Sequence, residues 1–535
     1  MTNLFSKCLL AAASALVLAS TGPSFAQTTH IVTESTDSIS GSLRDAVDMA
    51  ASGDTITFDS ALSGAVIRLT GGTLVIDEDI TIDASSLSER VQISGDTNNN
   101  GPDSADVRVM EIEAGTTVTL QFLTIRDGHT PSPPQGTGPL PNRNGAGLYV
   151  FGNLTLLDCL VTENRTGDGA PGINTGTTFD ESGDDGAKGG GIAVVVGSLL
   201  IRDSTISNNR TGDGGPSDFG VGGRGGSGAG IYCGGSVTIE NSLIQGNVTG
   251  DGGLSTADAG GIGGFGGGID HAGGVLTVTN STIVGNMAGK SSAGTVGTTF
   301  SGGGGGINAT STFQIRNTTI TGNSVPVPGN GGIHFGGGLA VSSQATPGST
   351  LTNTILAENT VSVLSGGEGP DFGSLNNTAP AFEGVNLIGD NTDAHPWFLP
   401  GAPNADGHYV GTAFAPLDPL LSPLQDNGGT TLTRLPLTGS PAIDPTGGDI
   451  TTPFPFDQRG NERLENSIVD IGAVETPAVA EPPPPVDNSS LKAALESKIK
   501  VLRKNLRFAK RSKQVLRVKK LTRQIKKLTK QLRAL

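Results

Sequence analysis

The sequence predicts an all-β chain built as a right-handed parallel β-helix, with an N-terminal cap and a separate C-terminal basic α-helix. Three observations predict it. A block of residues recurs six times in register; 83 of the 535 residues are Gly while only 4% are aromatic; and charge is split so that the end of the chain stands apart from the rest. A chain of this length would ordinarily divide into several domains, but a repeat accounts for both the length and the composition.

The repeat is seen by aligning GLYVFGNLTLLDCLVTEN from Gly147 with blocks that open at Gly191, Gly230, Gly268, Gly306 and Gly338. Each opens on an apolar residue: Leu148, Ile192, Ile231, Ile269, Ile307 and Leu339. Two polar columns keep step with them. The first is Asp158, Asp203, Asn241, Asn280, Asn317 and Asn353; the second, six residues later each time, is Asn164, Asn209, Asn247, Asn286, Asn323 and Asn359. Each block reads as three short strands rich in Val, Ile, Leu and Thr, divided by Gly or Asn turns. Strands this short bury nothing alone, but stacked at about 4.8 Å they line one continuous interior. Asn at a recurrent turn tolerates the left-handed conformation and can hydrogen-bond its equivalent one coil away. The Asn columns are therefore expected to be structural, and the many Asn-x-Ser/Thr triplets follow from the same pattern.

Between blocks lie Gly-rich excursions at 166–190, 211–228 and 249–267, which open alike as Thr-Gly-Asp-Gly. They are expected to leave the stack on one side, where a solenoid takes a glycan or protein ligand. The competing expectation is a set of flexible, solvated connections, because ordering Gly costs more backbone entropy than ordering any other residue.

The ends set the boundaries. Residues 1–26 read as a signal peptide, with Lys7, an apolar run from Leu9 to Ala19 and a small-residue cleavage site ending at Ala26. Export to the cell surface, extracellular space or periplasm is the expectation, and the apolar run is too short to span a bilayer. Past the leader only Cys159 and Cys233 remain, both at apolar repeat positions and expected to be buried, so disulfides are not the main staple. Residues 27–130 form the cap and first coils, 131–410 the repetitive body, 411–476 a C-terminal region, 477–488 a Pro-rich linker and 489–535 a basic amphipathic helix or coiled coil.

Two segments carry a resemblance. Ser38 to Phe58, with Gly41-Ser42-Leu43-Arg44-Asp45, is similar to the N-terminal cap of bacterial surface proteins with a CSLREA-type motif, although this chain lacks that Cys. Here a helix around 43–51 would close the open end, with Gly53-Asp54 turning into the first strand. At the other end stand Gln425-Asp426-Asn427-Gly428-Gly429, Leu435-Pro436-Leu437, Gly439 to Asp444, Asp457-Gln458-Arg459-Gly460 and Asp470 to Glu475. This string resembles the choice-of-anchor Q family of bacterial envelope β-helix proteins. The resemblance covers roughly residues 29–476 and implies a surface location and a pectate-lyase-like solenoid, with no catalytic residues to carry over. Asp444, Asp457, Arg459, Asp470 and Glu475 are expected to make ion pairs and turn hydrogen bonds in a cap, with a polar site as the alternative.

Candidates for chemistry are few. Asp96, Asn98, Asn100, Asp103 and Asp106 place oxygen at alternate positions around Gly101, as calcium loops do, though Val107 stands where an EF-hand has its bidentate Glu. Ca²⁺ is the only cofactor suggested. A β-helix can also be a polysaccharide lyase or glycoside hydrolase, for which Asp158 and Asp203 on neighbouring coils, with Arg202, are the catalytic candidates; Arg316 lies near the same column. The column continues as Asn, which favours a structural role. His271 and His334 fall at different registers, so no metal or triad spacing emerges. With one Trp, Trp397, and three Tyr, the chain is poor in the flat platforms that sugar grooves use.

The tail holds 17 of the 34 Lys and Arg and one of the 50 acidic residues, so 490–535 carries +16 and the remainder −32. Apolar residues recur at Leu495, Leu502, Ala509 and Leu516, then at Leu521, Ile525, Leu528, Leu532 and Leu535. As one helix the segment would span about 70 Å. Attachment to an anionic envelope lipid or polymer is the favoured expectation. Oligomerisation through a coiled coil is opposed by like charge and the absence of flanking Glu, and nucleic acid has only the charge to recommend it.

Together these readings predict an exported structural or adhesive protein of the cell surface, with extracellular glycan processing as the alternative.

Overall fold

The computed structural model describes residues 27–476 except 102, 104, 136–141, 174–181, 297–301, 328–334, 342–347, 363–368, 375–379, 393, 395–396, 449–453 and 465–467, together with 489–511 and 515–533. The expected signal peptide, the expected Pro-rich linker and His334 lie outside the described residues. The chain divides into two units, 1–476 and 477–535.

The first unit is a parallel β-helix. In the coil at Gly147 the strands are Leu148–Val150, Asn153–Leu157 and Leu160–Thr162, and they belong to three separate sheets, called here entry, middle and exit. The entry sheet has nine strands and the other two eleven each. Every named pairing is parallel, and the predicted register holds: Leu148, Ile192, Ile231, Ile269, Ile307 and Leu339 are successive partners. Inside the middle sheet Ile56, Ile82, Leu120, Leu156, Ile201, Ile239, Val278, Ile315 and Leu351 stack one above another, all fully buried. Each contributes about 1.5–3 kcal/mol of burial, and no single coil could supply that shelter.

The two polar columns do different jobs. Asp158, Asp203, Asn241, Asn280, Asn317 and Asn353 turn the corner between middle and exit strands, with φ between +48° and +54°. The second column does not take that conformation; the residue before it does, as Glu163, Asn208, Gly246, Gly285, Gly322 and Glu358. The second-column side chains turn inward and form an unbroken amide ladder. Asn164 donates to Asn209, and so on through Asn247, Asn286 and Asn323 to Asn359, at 2.9–3.0 Å per step. Each Oδ1 also accepts the backbone N–H of the Asn one coil earlier, as in Asn247 to Asn286 at 3.0 Å. Asp371 ends the ladder by accepting from Asn359 at 2.9 Å. A shorter hydroxyl ladder follows the corner, where Cys159, Ser204 and Ser242 each donate their backbone N–H to the next coil's Ser.

The Gly-rich excursions are layered structure, which overturns the expectation of loose connections. Their outgoing and returning limbs bond to each other, as Gly223 N–H to Gly215 C=O and Gly226 N–H to Gly212 C=O, both 2.8 Å. They also bond to the next excursion, as Gly214 N–H to Asp251 C=O at 2.8 Å and Gly222 N–H to Ala259 C=O at 3.0 Å. A methyl group on Gly212 or Gly215 would overlap the carbonyl oxygens of Gly167 and Ala170, three residues apart like the glycines themselves. Three is the period of the extended polyproline-II helix, and where such chains pack closely side by side, as in the collagen triple helix, glycine alone fits at the crowded axis. Neighbouring limbs supply the hydrogen bonds that offset the entropy of ordering.

Both ends are closed. At the N-terminus the helix Leu43–Met49, capped by Ser42, packs Leu43, Ala46 and Val47 into the core, and Arg44 pairs with Asp37 at 3.0 Å. The first strand is Thr29–Val32, upstream of the helix, and it pairs with Thr55–Phe58. At the other end Phe372, Phe382 and Phe398 pack with Trp397 and His408, so the single Trp belongs to a plug. Cys159 and Cys233 are buried and unpaired. Burial pushes the Cys159 thiol up to about 12, which leaves it unreactive.

In the second unit the expected single helix is two, Ser489–Arg511 and Val515–Arg533, which contact each other. The break makes two apolar stripes. Leu495, Ile499, Leu502 and Leu506 lie on the first helix and Leu521, Ile525, Leu528 and Leu532 on the second, with Ile499 and Leu521 buried and the others half-buried.

Candidate functional site

The corner column brings Asp158 and Asp203 together one coil apart, but each side chain is already engaged. Arg90 pairs with the Asp158 carboxylate and donates to its backbone oxygen at 2.9 Å. Arg202 is bound to Glu240 at 2.8 Å. Burial raises the Asp203 carboxyl above the ordinary range, opposed by hydrogen bonds from Asn241 and Thr430 and by the Arg202 charge. Arg316 is held by Glu383 at 3.5 Å, and His271 points into the core, fully buried.

Thr430 belongs to the C-terminal region, which folds back as a strap along this same corner. Thr431 donates to Asn241 C=O at 3.2 Å, Gln458 Nε2 to Ser242 C=O at 3.2 Å, and Asn353 Nδ2 to Asp470 C=O at 2.9 Å. The carboxylates of the strap act as turn and ion-pair partners. Asp457 holds Arg459 at 2.7 Å, and Asp470 accepts from the backbone of Asp444 and from Thr476. The sequence reading missed Arg463, the fully buried hub of the strap, which donates to Asn280, Gly472 C=O and Ala473 C=O.

In the calcium-like loop Asp103 is brought against Asn98 and Asn100, whose amides donate to it at 3.0 and 2.9 Å. Asp96 accepts the Asn99 N–H at 2.7 Å, and Asp106 accepts the N–H groups of Thr97 and Asp103. The carboxylates thus close turns. Among the described residues no group of three or more His, Cys, Asp or Glu side chains is placed to hold a metal ion.

A concave site lies on the outer face of the entry sheet, under the returning limbs of the glycine layers. Its floor is Asp270, Ala272, Asn308 and Thr310; its walls are Asp185, Lys188, Arg224, Ser227, Phe265 and Phe335 around a cavity of about 290 Å³. Asn308 donates to Asp270 at 2.7 Å. Burial pushes the Asp270 carboxyl up to about 6, with the Asn308 hydrogen bond and the Lys188 charge opposing the rise. Lys188 sits 4.8 Å over the Tyr232 ring. On the coils before it the same face is filled by Arg108, paired with Glu111 at 2.6 Å and stacked on Tyr149 at 4.4 Å. Sequence reading did not find this site. The available signal was the polar pair Asp270 and Asn308 at a position where aligned coils carry Tyr149, Ala193, Tyr232 and Ala340.

On the helical pair Lys492, Lys498, Lys500, Arg503, Lys504, Arg507, Lys519, Lys520, Arg523, Lys526, Lys527 and Lys530 are all exposed. No described helix is long and apolar enough to cross a membrane. Compared with known proteins, the chain matches no family model, no curated protein and no solved structure.

Proposed function

We propose that this chain is an exported structural or adhesive protein of the cell surface, a rigid β-helical body attached through its basic helical pair to an anionic envelope lipid or polymer. One observation carries the reading: the two helices turn their apolar stripes to each other while every described Lys and Arg between 492 and 530 stays exposed. A unit of that kind attaches by charge rather than by insertion. The body supports the reading, since its periodic polar residues are used in corners, ladders and strap contacts. Removing 487–535 is expected to release the protein from cells with its β-sheet circular dichroism intact; unchanged retention on the envelope would defeat the proposal.

A second reading, recognition or processing of an extracellular glycan, draws its support from the Asp270 cavity, where mixed charge and aromatic surface converge in a concavity.

A further inference from the structure

We infer that the Asp270 cavity binds an anionic sugar, a single pyranose ring bearing a carboxylate. The inference goes beyond attachment through the tail, and the two fail separately, because sugar binding is read on the protein in solution.

Size comes first. A cavity of about 290 Å³ stands at the lower edge of the ~300–1,000 Å³ typical of small-molecule sites. It admits one ring rather than a length of polymer. The glycine layers set this size, since the returning limbs that carry Lys188, Arg224 and Phe265 are stacked by hydrogen bonds such as Gly186 N–H to Arg224 C=O at 2.8 Å and Gly225 N–H to Ile262 C=O at 2.9 Å.

Charge then selects the ligand. Lys188 and Arg224 line the mouth, and neither makes an ion pair among the described residues. The Asp185 carboxylate beside them already accepts the Arg224 backbone N–H at 2.8 Å. On the floor, Asp270 has one oxygen bonded to Asn308 and is only 6% exposed, so its other oxygen asks for a donor from whatever fills the cavity. A simple anion would satisfy the cations and leave that buried carboxylate facing a like charge. A cationic ligand would be repelled at the mouth. A neutral sugar would satisfy Asp270 and leave the cations unused. A uronate satisfies both: its carboxylate meets Lys188 and Arg224 in charge-assisted hydrogen bonds, and its hydroxyl groups donate to Asp270. The half-buried Phe265 supplies apolar surface for the C–H face of the ring.

The test is calorimetric titration of the full-length protein with sodium D-glucuronate and sodium D-galacturonate. D-Glucose, D-galactose and sodium acetate serve as the neutral and simple-anion counterparts. Saturable heat is expected with at least one uronate, about tenfold or more tighter than with its neutral sugar or with acetate, and weakened about tenfold by Arg224→Gln or Lys188→Met. Arg224 is exposed, so that variant folds regardless of ligand binding. No saturable heat with either uronate, equal affinity for acetate, or a uronate affinity untouched by Arg224→Gln would each overturn the inference.

Discussion

Arg463 donates from Nη2 to Oδ1 of Asn280 at 2.9 Å, across 183 positions of sequence. The guanidinium is fully buried, and among the described residues its only carboxylate within 4 Å is that of Glu475 at 3.9 Å. This contact ties the C-terminal strap to the corner of the fourth repeat and turns a set of local turns into a latch. Replacing Arg463 by Met is expected to cost about 1–3 kcal/mol, because it removes the buried donor to Asn280 Oδ1 and to the carbonyls of Gly472 and Ala473. Denaturant unfolding reads the loss, and proteolysis would cut first within 417–476.

The two Asn columns are expected to respond differently to substitution. Asn247→Ala removes the acceptor for both the backbone and the side chain of Asn209, a loss of about 1–3 kcal/mol in urea unfolding. Asn241→Gly keeps the left-handed corner at φ +49°, and glycine adopts that conformation without steric penalty. Its cost should be the smaller of the two; the reverse order would contradict the division of labour between columns.

The glycine layers make a further claim. Gly250 has the carbonyl of Gly212 where its methyl group would stand. Gly250→Ala should therefore lower stability by about 1–3 kcal/mol through overpacking. Amide exchange across 211–228 and 249–267 would rise with it. Slow exchange there in the parent protein is the accompanying expectation.

Stability should fall as pH rises from about 4, where these carboxyl groups ionise in the unfolded chain, to about 8, and level off above that. Burial, with Asp470 adding its charge, pushes the Glu475 carboxyl up to about 8, and burial pushes Asp371 up to about 7. Raised carboxyl groups hold their protons longer when folded, so their contribution is present at low pH and is lost as pH climbs through the folded value. Each proton gives a slope of at most about 1.4 kcal/mol per pH unit. Burial lowers His129, His271 and His408, so they oppose the fall below about pH 6.5, where the unfolded imidazoles still bind protons, and add nothing above it. Thermal melts against pH check this, with Glu475→Gln expected to flatten the upper limb.

Attachment through the helical pair is expected to be salt-dependent. Sedimentation with vesicles containing anionic lipid should show binding at about 0.05 M NaCl and most of it lost near about 0.5 M, where charge is screened over a few ångströms. Reversing Lys526 and Lys527 to Glu should weaken it at low salt. Binding that survives high salt would point to the apolar stripes opening onto lipid.

The sequence by itself determined the coil. Leu148, Ile192, Ile231, Ile269, Ile307 and Leu339 lie in register because each coil packs on its own equivalent, so one periodic pattern encodes both the local strand and its long-range partner. The basic tail was legible for the same kind of reason, since charge adds up along a chain wherever it folds. Only the tertiary structure decided what the period does not repeat. It assigned the left-handed corner to one column and the ladder to the other, because they face opposite sides of the backbone. It laid the strap over the corner through Arg463, and set the tail as two helices, Ser489–Arg511 and Val515–Arg533, that contact each other within one chain. It also gathered Lys188, Arg224, Asp270 and Asn308 from successive coils and layers into one cavity. Contacts between unlike residues far apart in sequence leave no periodic trace, and the candidate binding site is made of them.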